Sequence, residues 1–310
     1  MRALVTGASG FVGRHLVDAL RREGAEAFGF GGPLDGDLGI DLGDAETIRR
    51  ALDLSRPDVV FHLAAQTFVP DALASPIDTY EINAIGSARL AEAVRAYDAA
   101  PLRVVFASSA EVYGVRAARE YPLRETVEPR PQNPYGASKA AAETILLGES
   151  RAFGLDVVVA RAFNTIGPGQ SERFVIASFA AQLARIAAGG DPKLFVGNLD
   201  TARDFLDVRD VTAAYVALAR DGERGEIYNV CSGAAISIRD ALGELIRTAG
   251  VAVEVREDPQ RVRAAENPLS AGDPAKVRAR TGWVPQIPLR TSLRDVYAAA
   301  RDRVAAGAAP

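Results

Sequence analysis

Tyr135-Gly136-Ala137-Ser138-Lys139 sets a phenol and an ammonium four residues apart. On a helix those two side chains share a face. A neighbouring ammonium favours the phenolate, so the spacing predicts a Tyr135 pKa below its reference of about 10. Such a phenol can give or take a proton near neutral pH. Ser109 lies 26 positions upstream, just after the apolar run Arg103 to Ala107 that reads as a strand. From a strand end its hydroxyl can hold a substrate oxygen beside Tyr135. An isolated Tyr-x-x-x-Lys is more often the wet side of an amphipathic helix. What lends weight to this one is a second motif earlier in the chain.

Thr6-Gly7-Ala8-Ser9-Gly10-Phe11-Val12-Gly13 spaces its glycines as G-x-x-G-x-x-G between an apolar strand, Arg2 to Thr6, and a helix, Phe11 to Glu23. Gly7 permits the tight turn, Gly10 the approach of a pyrophosphate to free helix N–H groups, and Gly13 close helix–strand packing. The context expected of a dinucleotide loop is therefore present. Residues after the second strand (Ala25 to Phe30) usually read the adenosine ribose. That segment has no arginine, and Asp35 and Asp37 fall slightly late in it, which leans toward NAD over NADP. Asp41-Leu42 could bring a carboxylate near the adenine.

The elements that must carry these groups alternate. Asp58 to Leu63, Arg103 to Ala107 and Asp156 to Ala160 are buried-type strands. Helical stretches separate them, near Ile77 to Tyr97 and Ser138 to Phe153, and Asp44 is an N-cap for another helix. Alternation of this kind predicts an α/β fold, a doubly wound parallel (Rossmann) sheet with a smaller C-terminal substrate lobe. The expected division is 1–164 for the dinucleotide domain with return segments near 203–230, and 165–202 plus 231–310 for the lobe.

Composition excludes several other chemistries. The chain has 310 residues, a net charge of -4, one cysteine and two histidines. That balance gives no drive toward nucleic acid or an anionic membrane surface. Cys231 alone can form neither an intrachain disulfide nor a cysteine zinc cluster, and His15 and His62 lack hydrolase metal spacing. No bound metal is expected. No apolar run reaches transmembrane length, so a cytoplasmic protein is expected. His62, inside a strand, reads as a satisfied core residue, and Cys231 as buried and inert.

With those motifs in hand, the chain resembles an extended short-chain dehydrogenase/reductase of the nucleotide-sugar epimerase/dehydratase type. The resemblance rests on the loop at 6–13, His62-Leu63-Ala64-Ala65, Asn83-Ala84-Ile85-Gly86, Ser108-Ser109-Ala110-Glu111-Val112-Tyr113-Gly114, and Tyr135 to Lys139. It implies Ser109, Tyr135 and Lys139 as the catalytic set and an NAD(P)(H) cofactor. Gly7, Ser9, Gly10, Phe11, Val12, Gly13, Asp41, Leu42, Leu63, Ala64, Ala65, Tyr135 and Lys139 would hold that cofactor. A nucleotide-sugar substrate and a homodimer built on helices near 77–97 and 138–153 are implied too.

The second half resembles the reductases of GDP-4-keto-6-deoxy-D-mannose through Arg161 to Gln170, Gly197-Asn198-Leu199, Arg203 to Asp210, Tyr228 to Gly233 and Thr281-Gly282-Trp283. The product expected is GDP-D-rhamnose. Arg203 and Arg263 have the guanidinium forks that suit a diphosphate. Asn164, Val175, Asn198 and Glu266 are further substrate candidates. Glu111 keeps a 4,6-dehydratase open, since an acid at that place in those enzymes removes water across C5 and C6. It could equally orient the keto sugar. A redox-neutral dehydratase or 4-epimerase is one alternative, and a non-catalytic dinucleotide sensor another.

Overall fold

Six strands pair in parallel, in the order β2-β1-β3-β4-β5-β9. The structure is a computed structural model and describes residues 1–30, 41–97, 102–261 and 267–307. The chain starts β1 (Arg2–Thr6), α1 (Phe11–Arg22), β2 (Glu26–Phe30), α2 (Ala45–Ser55), β3 (Val59–His62), α3 (Val69–Ala74) and α4 (Pro76–Tyr80). It continues α5 (Gly86–Ala96), β4 (Arg103–Ser109), α6 (Pro134–Phe153) and β5 (Asp156–Ala162). Then come β6 (Asn164–Ile166), α7 (Val175–Ala187), β7 (Lys193–Val196), β8 (Ala202–Asp207), α8 (Val208–Asp221) and β9 (Ile227–Val230). The last elements are β10 (Ala235–Ser237), α9 (Ile238–Ala249), β11 (Glu254–Glu257), β12 (Leu269–Ser270), α10 (Ala275–Thr281) and α11 (Leu289–Ala305).

The sheet is buried on both faces, which is why its strands are continuously apolar rather than alternating. On β5, Val158 and Ala160 pack on one side with Leu16, Leu20, Val211 and Tyr215 from α1 and α8. Val157 and Val159 pack on the other with Ile48, Leu52, Leu90 and Leu146 from α2, α5 and α6. Parallel register then aligns the strand ends. Thr6 lies opposite His62, His62 opposite Phe106, and Ser109 opposite Ala162. The loops leaving β1, β3 and β4 therefore emerge along one carboxyl edge, where open α/β sheets bind ligands.

The remaining strands build two smaller sheets, β10-β8-β12 with β6 on β8, and β11-β7. A third core, including Phe179, Leu183, Leu242, Leu245, Leu293 and Val296, joins α7, α9 and α11 beneath them.

Three elements differ from the sequence expectation. Within the segment near 203–230, β9 pairs in the central sheet whereas β8 pairs in the second sheet, where it also joins β6. The helix expected over 77–97 is interrupted by a π turn at Glu81–Ile85. Asn83, in that turn, accepts a hydrogen bond from Gln66 N (2.8 Å) and donates to Ser138 Oγ (2.8 Å). Finally, β4 runs to Ser109 because Ser108 and Ser109 still pair with Arg161 and Ala162.

Candidate active site

The glycine loop is shaped by backbone crowding. Gly7 has φ +71°, and a Cβ there would sit 2.8 Å from Ala64 N. At Gly13 a Cβ would lie 2.1 Å from the Gly7 carbonyl oxygen, a distance no side chain tolerates. Gly10, the exposed N-cap of α1, carries no side-chain cap, and the first turn has no acidic residue. The positive end of the helix dipole is thus left for an anion. Ser9 sits partly exposed in the same loop, and Val12 packs back onto the core. Phe11 stands edge-on to His15 at 5.6 Å, and His15 Nε2 is 2.9 Å from the Pro168 carbonyl oxygen. Beside the loop, Ala64 N donates to Thr6 Oγ1 (3.1 Å), which holds partly exposed Leu63, Ala64 and Ala65 along the same edge. This cradle of glycines at a helix N-terminus fits a dinucleotide pyrophosphate.

Asn133 opens α6 as its N-cap, with Oδ1 accepting from Gly136 N (2.8 Å). The helix therefore begins at Pro134 and carries Tyr135 on its first turn. The Tyr135 phenol lies beside the Ser109 side chain, which favours its ionised form. One turn on, Lys139 is buried, and its Nζ donates to the Ala107 carbonyl (2.8 Å) and lies 4.8 Å over the Phe106 ring. Ser109 Oγ also accepts from Glu111 N (3.2 Å), capping the short turn Ala110–Tyr113. Exposed Glu111 accepts from Asn133 Nδ2 (2.8 Å), so its carboxylate stands at the rim beside Tyr135.

The electrostatics correct one expectation. Tyr135 is not lowered but pushed up to about 12, first by burial and further by the Glu111 carboxylate, while the Ser109 hydrogen bond pulls the other way. Lys139 is itself pushed down to about 7 by burial, against the pull of Glu143. The ammonium is turned onto the Ala107 carbonyl, and desolvation outweighs the attraction that the four-residue spacing implied. A phenol that keeps its proton is a hydrogen-bond donor and a general acid. His62 is pushed down to about 3 by burial and by Lys139, so its imidazole is neutral. It lies 2.8 Å from Thr6 Oγ1 and 3.0 Å from Ser87 Oγ, a satisfied core residue. Cys231 is buried and its thiol is raised by desolvation, which removes the reactive thiolate.

The other candidates lie on other elements. Leu42 is buried, and a Cβ on Gly86 would meet it at 2.8 Å, while exposed Asp41 closes a turn by accepting from Gly43 N (2.7 Å). Asp35, Asp37, Arg263 and Glu266 lie outside the described residues. Asn164 is exposed on β6, and Val175 is the exposed first residue of α7. Asn198 follows β7 and accepts from Asp200 N (2.9 Å). Arg203 lies on β8, with Nη1 donating to the Ala202 carbonyl (2.9 Å). Among the described residues no three His, Cys, Asp or Glu side chains gather as a metal site, and no helix is long and apolar enough to cross a membrane.

Two buried clusters escaped the sequence reading. Glu143 and Arg161 form an ion pair at 2.6 Å below the Ser-Tyr-Lys set. A carboxylate one turn after Lys139, following Ala140-Ala141-Ala142, was the available signal. Asp204 on β8 accepts from Ser232 N (2.8 Å), Ser232 Oγ (2.6 Å) and Gly233 N (3.0 Å), tying the loop after β9 to the second sheet.

Sheet, glycine loop and Ser-Tyr-Lys set together define a dinucleotide-dependent oxidoreductase of the short-chain type. A family model described as GDP-mannose 4,6 dehydratase matches residues 38–296. The chain is 42% identical to GDP-6-deoxy-D-mannose reductase of Pseudomonas aeruginosa over 306 residues, 98% of each chain. It is 32% identical to GDP-6-deoxy-D-talose 4-dehydrogenase of Aggregatibacter actinomycetemcomitans over 277 residues, 89% of this chain and 90% of that one. A solved structure of RMD from Pseudomonas aeruginosa complexed with NADPH superposes with a TM-score of 0.89 at 39% identity, covering 98% of this chain and 100% of that one. The chain belongs to the GDP-mannose 4,6-dehydratase-type family of extended short-chain dehydrogenases/reductases, the NAD(P)-dependent nucleotide-sugar enzymes.

Proposed function

We propose that the protein reduces the 4-keto group of GDP-4-keto-6-deoxy-D-mannose with NAD(P)H, giving GDP-D-rhamnose. The observation that carries this reading is the Tyr-Lys pair on the first turns of α6, with Lys139 Nζ on the Ala107 carbonyl, next to Ser109 at the sheet edge and beside the glycine cradle. Reduction of a ketone needs a proton for the alkoxide that forms, and a phenol held neutral has one to give. Bound reduced nicotinamide supplies the hydride that goes to sugar C4. Ser109 orients the carbonyl oxygen, and Tyr135 delivers the proton to it. Lys139 holds the cofactor ribose and, when charged, stabilises the phenolate left behind.

In the second lobe, which we assign to 165–207 and 231–310, Arg203 and Arg263 would hold the diphosphate. Asn164, Val175, Asn198 and Glu266 would line the sugar and nucleoside. The similarity to the reductase over 98% of both chains supports this assignment. The site is read as dimeric, because Ile77, Ile82 and Ile85 stand 71%, 41% and 41% exposed on the helices before α6. Sedimentation of the purified protein tests that. A cytoplasmic setting fits the free, buried Cys231.

A second reading is a 4,6-dehydratase acting on GDP-mannose, favoured by Glu111 at the rim beside Tyr135. Purified protein is given GDP-mannose or its 4-keto-6-deoxy derivative in separate tubes, each with NADH or NADPH. Oxidation of one equivalent of reduced cofactor with the keto sugar alone is the expected result, and the better cofactor settles the preference. Conversion of GDP-mannose without net cofactor change would instead establish the dehydratase.

A further inference from the structure

Beneath the Ser-Tyr-Lys set lies a charged pair that no step above uses. Glu143 and Arg161 are 3% and 2% exposed, as sequestered as the aliphatic core. Glu143 Oε1 accepts from Arg161 Nε (2.9 Å) and Oε2 from Arg161 Nη2 (2.6 Å), a two-pronged bridge between α6 and β5. The same Oε1 accepts from Ser108 Oγ on β4 (2.5 Å). The guanidinium carbon stands 4.7 Å over the Tyr113 ring, whose hydroxyl donates to Asn229 Oδ1 on β9 (2.6 Å).

Stability alone does not account for this arrangement. Desolvating two charges costs several kcal/mol per ion, roughly, and apolar replacements of buried pairs are often neutral or stabilising. The location is more telling. Tyr135, Lys139 and Glu143 recur every four residues along one stripe of α6. Ser108 is the immediate neighbour of Ser109, and alternation along a strand sends their side chains to opposite faces. One carboxylate therefore grips the residue before Ser109 and stands one turn from Lys139.

We propose that Glu143, clamped by Arg161, is a positioning residue that supplies the counter-charge for Lys139 and fixes the end of β4 against α6. The other groups around Lys139 cannot take over that role. His62 on β3 is neutral, Phe106 and Ala107 on β4 offer a ring and a carbonyl, and Tyr135 keeps its proton. Glu143 is the carboxylate that raises Lys139, and Arg161 faces it from behind on β5. Without the carboxylate, Lys139 stays neutral over a wider pH range.

This inference rests on Tyr135 and Lys139 being the working pair, yet its test needs no substrate. The chain has only three lysines, Lys139, Lys193 and Lys276, so protein labelled with 13Cε-lysine gives a spectrum in which Lys139 is assigned by one Lys139→Arg variant. Titration of that signal reads its charge directly. The wild-type midpoint is expected near 7. In Glu143→Gln it should move down by about one pH unit or more. Should Glu143→Gln fail to fold, the apolar double variant Glu143→Met/Arg161→Met removes both charges together and should still move the midpoint down, by less than Glu143→Gln because the repulsion from Arg161 goes too. A folded variant with an unmoved Lys139 midpoint would overturn the proposal. Failure of both variants to fold would also overturn it, by making the pair a requirement of the core. A missing reductase activity with the Lys139 shift intact would sink the substrate reading and leave this one standing.

Discussion

In the proposed site the glycine loop offers its ligand backbone, whereas the second sheet offers side chains. Gly7, Gly10 and Gly13 act by what they lack, since a Cβ at Gly7 or Gly13 would strike backbone within 3 Å. Asn164, Asn198 and Arg203 would act by what they extend, and they sit on β6, in the loop after β7 and on β8. A backbone cradle has one geometry that the fold either makes or breaks. A set of extended side chains can lose a member and keep the rest. The two regions should therefore fail differently when mutated.

The largest effect is expected at the cradle. Gly13→Val drives side-chain atoms into the Gly7 carbonyl, so neither NADH nor NADPH should bind, as read by quenching of Trp283 fluorescence or by calorimetry. Binding within about threefold of wild type would mean the loop is not the pyrophosphate site. Next comes Tyr135→Phe, which should lower kcat by about 10²- to 10⁴-fold, the usual weight of a positioned general acid, with cofactor affinity nearly unchanged. An active Phe variant would remove Tyr135 from the role. Arg203→Ala is milder. It should raise the KM for the GDP-sugar about tenfold and leave kcat within about twofold, as expected of uniform binding to a diphosphate. A kcat loss without a KM change would place Arg203 nearer the chemistry than β8 suggests.

The last effect concerns stability rather than turnover, and it lies in a buried polar group outside both regions. His62 is neutral when folded, at about 3, against 6.5 when unfolded. The unfolded chain binds the extra proton between those values, so stability is full above pH 6.5 and falls as pH drops toward 3. In His62→Gln the thermal midpoint should decline less steeply over that window. Equal slopes would show that other groups dominate acid unfolding.

The same contrast explains what was legible in the sequence. Strand, loop and helix at residues 2–22 could be read because spacing alone dictates them, and Asp44 could be read as a cap because its side chain bonds the nearby Glu46 N (2.9 Å). The assignment of β8 could not be read. Its pairing with β6, β10 and β12 depends on residues 31 to 67 positions away, and no local pattern carries such a choice. At the site, Tyr135 and Lys139 were visible as a spaced pair, whereas the direction of their pKa shifts was not. Those shifts come from burial beneath the sheet edge, with Glu111 adding to the one at Tyr135 and Glu143 opposing the one at Lys139, and both carboxylates lie off the motif. Glu143 and Arg161, 18 residues apart, were hidden for the same reason.

The central claim is that Tyr135 protonates an oxygen whose carbon has just taken a hydride from outside the sugar. Nicotinamide cofactor deuterated at the transferable position, incubated with GDP-4-keto-6-deoxy-D-mannose, follows that hydride directly. One deuterium at C4 of the product per cofactor oxidised is expected, with the C4 configuration of rhamnose by NMR. The keto sugar recovered with no deuterium gained and no cofactor consumed would contradict it.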